Sequence, residues 1–123
     1  MKYLLFVALG GAFGSSARYL LATWVQGQWE GRWPLSTLLV NVLGSLAIGL
    51  LFVLIERQVL HPDWRGVLMV GFLGAFTTFS TFSLDALSLW QNGQLSLALA
   101  YILASVILCL LGMALAVVLT RLI

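Results

Sequence analysis

Charged residues are so few in this chain that they mark where it can cross a lipid bilayer. Among 123 residues there are six Lys and Arg and four Asp and Glu, while 62% are hydrophobic. This composition is typical of an integral membrane protein and excludes a water-soluble domain. Because a bilayer core takes about 20 apolar residues per helix, four membrane-spanning helices fit between the charges. We predict these spans at residues 2–25, 33–55, 66–90 and 94–120.

The segments between the predicted spans are short and polar. Residues 26–34, 56–65 and 91–94 contain the turn-forming residues and most of the polarity. We therefore predict a single four-helix transmembrane domain over residues 1–123. The N-terminal stretch is similar to a signal peptide, but Arg18 follows without a convincing cleavage site, so we interpret it as a retained first helix.

The positive residues bear on how the chain inserts. An even number of spans places both termini on one side of the membrane. That side collects Lys2, Arg57, Arg65 and Arg121, against Arg32 and, depending on its depth, Arg18. Positive residues favour the cytoplasm, so the termini are predicted there. The difference is small enough that one or two charges would reverse it, and insertion in both orientations is compatible with the sequence. The basic residues form no patch for nucleic acid.

The chain offers little for enzyme catalysis. Its single histidine, His61, lies in a polar loop, and no set of nucleophile, base and orienting group can be assembled at membrane depth. Cys109 is the single cysteine, which excludes an internal disulfide and a cysteine metal cluster. The simplest interpretation of Cys109 is a small buried hydrophobic residue. We therefore predict that the protein is not an enzyme.

The third predicted span carries many hydroxyl groups, in the sequence GFLGAFTTFSTF of residues 71–82. A hydroxyl without a partner in hydrocarbon costs roughly 1 to several kcal/mol, so the cluster indicates either a helix-packing seam or a hydrated path. Glycine followed by residues whose hydroxyls compete for backbone hydrogen bonds weakens a helix. We predict a break between Gly74 and Thr78. Close helix packing through small residues is an alternative that can coexist with a break.

Phenylalanines accompany these hydroxyls at helical spacing. Phe79 and Phe82 are three residues apart and share a face, while Thr78 and Thr81 form the neighbouring row. The edge of a phenyl ring is electropositive, so two rings turned edge-on can attract an anion without a formal charge. A weak site of this kind suits conduction, because a fully charged site would hold the anion too tightly. Ordinary packing is the alternative role for both rings.

Polar residues also recur every four positions in the second and fourth spans. In the second span they are Thr37, Asn41 and Ser45, and in the fourth they are Tyr101, Ser105 and Cys109. An amide in the bilayer core has two donors and two acceptor lone pairs to satisfy, so Asn41 must meet water, an ion or another helix. Hydrogen bonding between helices is the simpler interpretation. In the first span, Gly10 and Gly14 form a GxxxG pattern that lets another helix approach closely.

Three blocks of this sequence resemble the Fluc/CrcB family of fluoride channels. They are GGAFGSSARY at 10–19, STLLVNVLGSLAIG at 36–49 and GFLGAFTTFSTFSLD at 71–85. Their order, spacing and the chain length match the family, so the resemblance covers essentially the whole chain. It implies an antiparallel homodimer of four-helix subunits in the cell (inner) membrane, with two ion pathways along the subunit interface.

The resemblance also implies roles for individual residues. Phe79 and Phe82 match the paired phenylalanines whose ring edges contact fluoride, and Asn41 matches an asparagine that donates its amide to the ion. The matching hydroxyl groups along the pathway belong to Ser80, Thr81, Tyr101 and Ser105. Arg18 matches an arginine that would attract anions at the pore mouth, and a side chain that snorkels to the membrane interface is the alternative. Cys109 departs from the family, which often carries a hydroxyl residue there.

The family further holds a structural sodium ion through backbone carbonyls at the helix break, which match Gly74 and Thr77. Carbonyl oxygens suit a hard cation, and a fixed positive charge lowers the electrostatic cost of an anion in the bilayer. The implied function is passive export of fluoride, which lowers its cytoplasmic concentration. A proton-coupled multidrug exporter is one alternative, although the first span lacks the carboxylate that such a protein needs. A non-transporting helix-packing subunit is the other.

Overall fold

The computed structural model describes residues 1–31 and 33–123. Arg32, which served above as an orientation marker, lies outside the described residues. The described parts of the chain are helical, with no strand. The helices are α1 (Lys2–Gln28), α2 (Leu35–Glu56), a π-helix (Arg65–Leu73), α3 (Gly74–Phe76), α4 (Phe79–Gln91) and α5 (Leu95–Leu122).

Within the described ranges 1–31 and 33–123, four helical segments are long and apolar enough to cross a membrane. Three of them are the continuous helices α1, α2 and α5, and the other, Arg65–Gln91, combines the π-helix, α3 and α4. The prediction of an all-helical membrane protein with four spans is therefore confirmed. The largest difference from the expected bounds is in α1, which continues past residue 25 to Gln28.

The third span is interrupted at two extended residues, Thr77 and Thr78, which confirms the predicted break. Their ψ angles are 158° and 121°, so neither continues the helix. Helix α4 then begins at Phe79, and Thr78 caps it, since the Thr78 Oγ1 accepts a hydrogen bond from the Thr81 N–H at 3.2 Å. The break divides the span into a half formed by the π-helix and α3 and a half formed by α4.

Glycines bring α1 into backbone contact with the first half of the third span. Gly10 and Gly14 are buried. A Cβ atom at Gly10 would collide with the carbonyl oxygen of Val67, and one at Gly14 with the carbonyl oxygen of Phe72. The GxxxG pattern thus serves close packing, as the sequence predicts, and its partner is the π-helix.

Polar contacts place both chain termini at the same end of the bundle. Lys2 Nζ lies 3.8 Å from Asp63 in the loop after α2. At the end of α5, Arg121 pairs with Glu56 at 3.1 Å, and Arg57 donates to the carbonyl of Thr120 at 3.4 Å. The end of α2 and the end of α5 are therefore held together, as an even number of spans requires.

Candidate ion pathway

One amide side chain from α2 holds the break in the third span. Asn41 Nδ2 donates to the Thr78 carbonyl at 3.0 Å, and Asn41 Oδ1 accepts from the Thr78 N–H at 2.7 Å. Asn41 therefore forms a hydrogen bond between helices, which was the simpler interpretation of this residue in the sequence analysis. The pair uses one amide proton, and the second remains available to another acceptor.

Because of the break, two backbone carbonyls lose the N–H groups that would donate to them in a continuous helix. In a continuous helix the Thr78 N–H would bond to the Gly74 carbonyl and the Thr81 N–H to the Thr77 carbonyl. These donors are instead directed to Asn41 Oδ1 and to Thr78 Oγ1. Among the described residues no donor replaces them. Carbonyl oxygens freed at membrane depth require water, a cation or a partner chain.

A cavity of about 370 Å³ lies beside the break, between α2, the third span and α5. It brings together four of the predicted pathway residues, Asn41, Phe79, Phe82 and Ser105. Hydrophobic side chains form most of the remaining wall, and Cys109 is part of it. The ring pair and the amide, which are far apart in sequence, thus face one space.

Aromatic rings form a row that starts at this cavity. The centroids of Phe79 and Phe82 are 5.4 Å apart, and those of Phe82 and Tyr101 are 5.3 Å apart. Trp33 continues the row with an edge-on contact to Tyr101 at 6.4 Å. Phe79 is 79% exposed in the single chain, whereas Tyr101 is fully buried. The row leads from the break towards the end of the bundle where α2 begins.

Ser105 contributes a buried hydroxyl-bearing residue to the wall of this cavity. Its side chain is only 6% exposed, yet its hydroxyl has no hydrogen-bond partner within the described residues. A buried hydroxyl without a partner costs about 1–3 kcal/mol. Water does not reach this hydroxyl, so an occupant of the cavity becomes its partner only if the Ser105 side chain turns towards the cavity.

Tyr101 directs its hydroxyl elsewhere. It donates to Asp85 Oδ2 at 3.4 Å, and Thr37 Oγ1 donates to the same oxygen at 2.6 Å. Asp85 has no place in the pathway predicted from the sequence. The signal that was available is the isolation of this carboxylate within the third span. In the structure Asp85 orients two hydroxyls between the ring row and a polar cavity of about 200 Å³.

Another polar cavity, of about 260 Å³, lies on the α1 side of the break. Arg18, Thr37, Thr78 and Thr81 contribute to its wall. Thr78 lines this cavity and the one beside the ring pair, so the break separates the two spaces. Ser80 is exposed, and its hydroxyl lies 3.3 Å from Thr78 Oγ1. The predicted residues therefore form two groups, one with the rings and one with Arg18.

Comparison with known proteins identifies the family. The family model described as CrcB-like protein, Camphor Resistance (CrcB), matches residues 5–117. The chain belongs to the CrcB family. This confirms the resemblance found in the three sequence blocks, and the CrcB match extends over all four spans, including the break and its cavities. With four such helices, this CrcB chain is a multi-pass membrane protein.

Curated CrcB relatives carry the name "Fluoride-specific ion channel FluC". The protein of Hahella chejuensis is 52% identical over 124 residues, covering 100% of this chain and 98% of the relative. The protein of Magnetococcus marinus is 52% identical over 119 residues, covering 95% and 96%. The protein of Saccharophagus degradans is 50% identical over 117 residues, covering 94% and 86%. These names describe ion channels, a class of proteins that is not enzymatic.

Proposed function

We propose that this protein is a fluoride channel that lets fluoride leave the cell passively and so lowers its cytoplasmic concentration. The observation that carries the proposal is the broken third span, which Asn41 holds open beside the Phe79 and Phe82 ring pair. Relatives about half identical over nearly the whole chain are named fluoride-specific channels. A bacterial-type channel of this kind acts in the cell (inner) membrane and catalyses no reaction.

Fluoride passes beside the ring pair in this proposal. The edges of Phe79 and Phe82, the free amide proton of Asn41 and the hydroxyl of Ser105 replace part of the ion's hydration shell. None of these groups is charged, so the ion is bound weakly enough to leave again. Ser105 lines this cavity, and its hydroxyl becomes a donor to the anion in this proposal once the side chain turns towards the cavity.

The second group of residues serves the approach to that site. Arg18 supplies a positive charge to the polar cavity on the α1 side, and such a charge raises the local anion concentration. Thr81 lines the same cavity, Ser80 lies beside Thr78, and Tyr101 contacts the ring of Phe82. These hydroxyls are proposed to guide the ion between water and the ring pair.

A structural sodium ion is proposed at the break. The carbonyls of Gly74 and Thr77 fit such a group, because both lose their helical donors and oxygen ligands are what a hard cation prefers. When bound, the ion supplies a fixed positive charge that favours an anion nearby, and it is not itself transported. The proposed ligands are backbone carbonyl oxygens, which no side-chain substitution removes. The sodium site is therefore tested by removing sodium from the solution.

Replacing sodium by N-methylglucamine throughout purification and reconstitution is the corresponding test. We expect less assembled protein and slower fluoride efflux, with recovery when sodium is returned. Potassium at the same ionic strength controls for nonspecific salt effects. Unchanged assembly and efflux without sodium would contradict the proposed site.

The partner is proposed to be a second copy of this chain, inserted antiparallel in the bilayer. Polar groups lie exposed at membrane depth on the single chain, among them Gly74, Ser80, Thr81 and Ser83. Lipid offers these groups no hydrogen bond beyond those that the three hydroxyls make within the chain, and the exposed Phe79 ring borders the same surface. A second subunit would cover this surface and complete the pathway at the interface.

Fluoride efflux from liposomes that contain only this protein is the direct test. An ion-selective electrode follows fluoride while a potassium ionophore sets the membrane potential, and chloride-loaded liposomes provide the comparison. We expect rapid fluoride efflux and little chloride efflux. Absence of fluoride efflux from correctly folded protein would contradict the proposal and favour a packing subunit.

A further inference from the structure

Thr78 lies where the two cavities beside the break meet. It lines the cavity of the ring pair and also the polar cavity that holds Arg18. Its side chain is buried, and Asn41 holds both edges of its backbone. The Thr78 hydroxyl therefore has a fixed position from which it can orient neighbouring groups.

The Thr78 hydroxyl uses its one proton and both of its lone pairs. The proton goes to Thr81 Oγ1 at 3.1 Å, and the oxygen accepts from the Thr81 N–H at 3.2 Å. Because Thr78 has no second proton, Ser80 Oγ donates to it across 3.3 Å. Thr81 Oγ1 is thus an acceptor towards Thr78, and it keeps a proton of its own to donate elsewhere.

Other hydroxyl groups in the spans give their protons to their own helix. A serine or threonine inside a helix can donate to the carbonyl four residues earlier. Six side chains in the described ranges do so: Ser15, Ser16, Ser45, Thr77, Ser83 and Thr120. For Thr81 that carbonyl belongs to Thr77, which lies in the extended break, and no acceptor among residues 1–31 and 33–123 takes the Thr81 proton.

We propose that Thr78 is a positioning residue that turns the Thr81 proton into the polar cavity on the α1 side, where the proton binds an anion. Thr81 and Arg18 both line this cavity, and a hydroxyl proton and a guanidinium both favour negative charge. Asp85 contributes to the wall of the neighbouring cavity instead. The inference rests on the proposed function, in which fluoride crosses this cavity on its way to the ring pair.

Two substitutions remove the hydroxyl and one retains it. Thr78→Val keeps the shape of the side chain, and Thr78→Gly keeps a residue that is well tolerated at the start of a helix. In liposomes we expect both to lower fluoride efflux roughly tenfold, as the loss of a hydrogen bond to a charged ion does, and Thr78→Ser to stay within about twofold of the wild-type rate.

Thr120→Val is the matched control for the loss of a threonine hydroxyl. Thr120 Oγ1 donates to the Ala116 carbonyl of its own helix at 2.6 Å, near the end of α5. This variant should keep the wild-type efflux.

A double-mutant cycle with Thr81→Val separates positioning of the proton from capping of α4. If Thr78 acts through the Thr81 proton, Thr81→Val alone lowers efflux by a similar factor, and Thr78→Val adds no further loss in that background. The cap accepts the backbone N–H of Thr81, which valine also has. The fall in unfolding temperature caused by Thr78→Val should therefore be the same in both backgrounds.

Three results would each overturn the positioning role. They are wild-type efflux in Thr78→Val or Thr78→Gly, efflux in Thr78→Ser as slow as in Thr78→Val, and losses that multiply in the double variant.

Calorimetric titration of fluoride into the purified protein distinguishes this failure from failure of the proposed function. If the wild type conducts no fluoride, the proposed function fails. Weaker fluoride binding by Thr78→Val than by Thr120→Val would still support the role of Thr78. Equal binding by these variants, or no binding by the wild type, would overturn it.

Discussion

Asn41 joins two helices through both edges of one amide, because its oxygen accepts from Thr78 and its nitrogen donates to Thr78. Asn41→Ala would leave the N–H and the carbonyl of Thr78 without partners. We expect the free energy of unfolding to fall by about 1–3 kcal/mol and fluoride efflux to be lost. Thermal unfolding in detergent and liposome efflux measure the two effects.

Ser45→Ala provides the matched control on the same face of α2. Ser45 Oγ bonds to the Asn41 carbonyl within its own helix at 2.8 Å and contacts no backbone of the break through a hydrogen bond. Its loss should change stability by less than about 1 kcal/mol. Equal effects of the two substitutions would show that Asn41 does not hold the break.

The ring pair gives a second prediction at the scale of residues. Phe79→Ile and Phe82→Ile keep an apolar side chain but remove the electropositive ring edge. An edge contact worth about 1.5 kcal/mol corresponds to a change of roughly tenfold, and we expect each variant to lose at least that much fluoride efflux. Phe13→Ile, on an exposed surface of α1, is the control and should keep its efflux. Wild-type efflux in both pathway variants would reject ring contact with the ion.

Individual contacts were only partly predictable from the sequence. Spacing places Thr37, Asn41 and Ser45 on one face, but the partner of that face depends on how α2 is rotated against the third span. The bond from Asn41 to the Thr78 backbone and the bond from Thr37 to Asp85 join residues 37 and 48 positions apart. Periodicity within one helix carries no information about such pairs.

At the scale of elements, the π-helix and α1 depend on each other. The wider backbone of a π-helix needs room, and glycines on α1 provide it. Gly14→Ala would place a methyl group against the Phe72 carbonyl, which belongs to rigid backbone. We expect a loss of about 1–3 kcal/mol in the free energy of unfolding, measured as a lower unfolding temperature in detergent.

Gly27→Ala is the control, because it makes the same substitution in α1 at a position that does not touch the π-helix. No atom lies within 4 Å of a Cβ added there. Alanine also favours a helix over glycine by about 1 kcal/mol, so this variant should be equal to the native protein or slightly more stable. A Gly14 variant as stable as the Gly27 variant would mean that α1 does not pack tightly on the π-helix.

The elements differ in how far they follow from the sequence. Long apolar stretches set the four spans, and a glycine followed by hydroxyl residues was sufficient to predict the break at Thr77 and Thr78. The π-helix over Arg65–Leu73 was not predicted. It packs closely against Gly10 and Gly14 of α1, and tertiary contacts of this kind leave no local pattern in the sequence of the segment itself.

For the whole molecule, the described contacts place both chain ends at one end of the bundle, and the sequence gives that end only a modest excess of positive residues. This combination permits insertion in either direction, and an antiparallel dimer requires both. The variant Cys109→Ser/Ile123→Cys reports orientation, because Ile123 is 99% exposed at the C-terminus. We expect a membrane-impermeant thiol reagent to label about half of the chains from outside intact spheroplasts, and the remainder after lysis.

Added charges should change the fraction of chains inserted in each orientation. Two lysines added after Ile123 strengthen the positive end, so most chains should then insert with both termini in the cytoplasm and escape external labelling. If two oppositely inserted copies form the pathway, this population should conduct poorly until it is mixed with chains carrying the reverse bias. Full labelling or no labelling of the parent variant, or undiminished efflux from chains biased to one orientation, would instead indicate a parallel assembly.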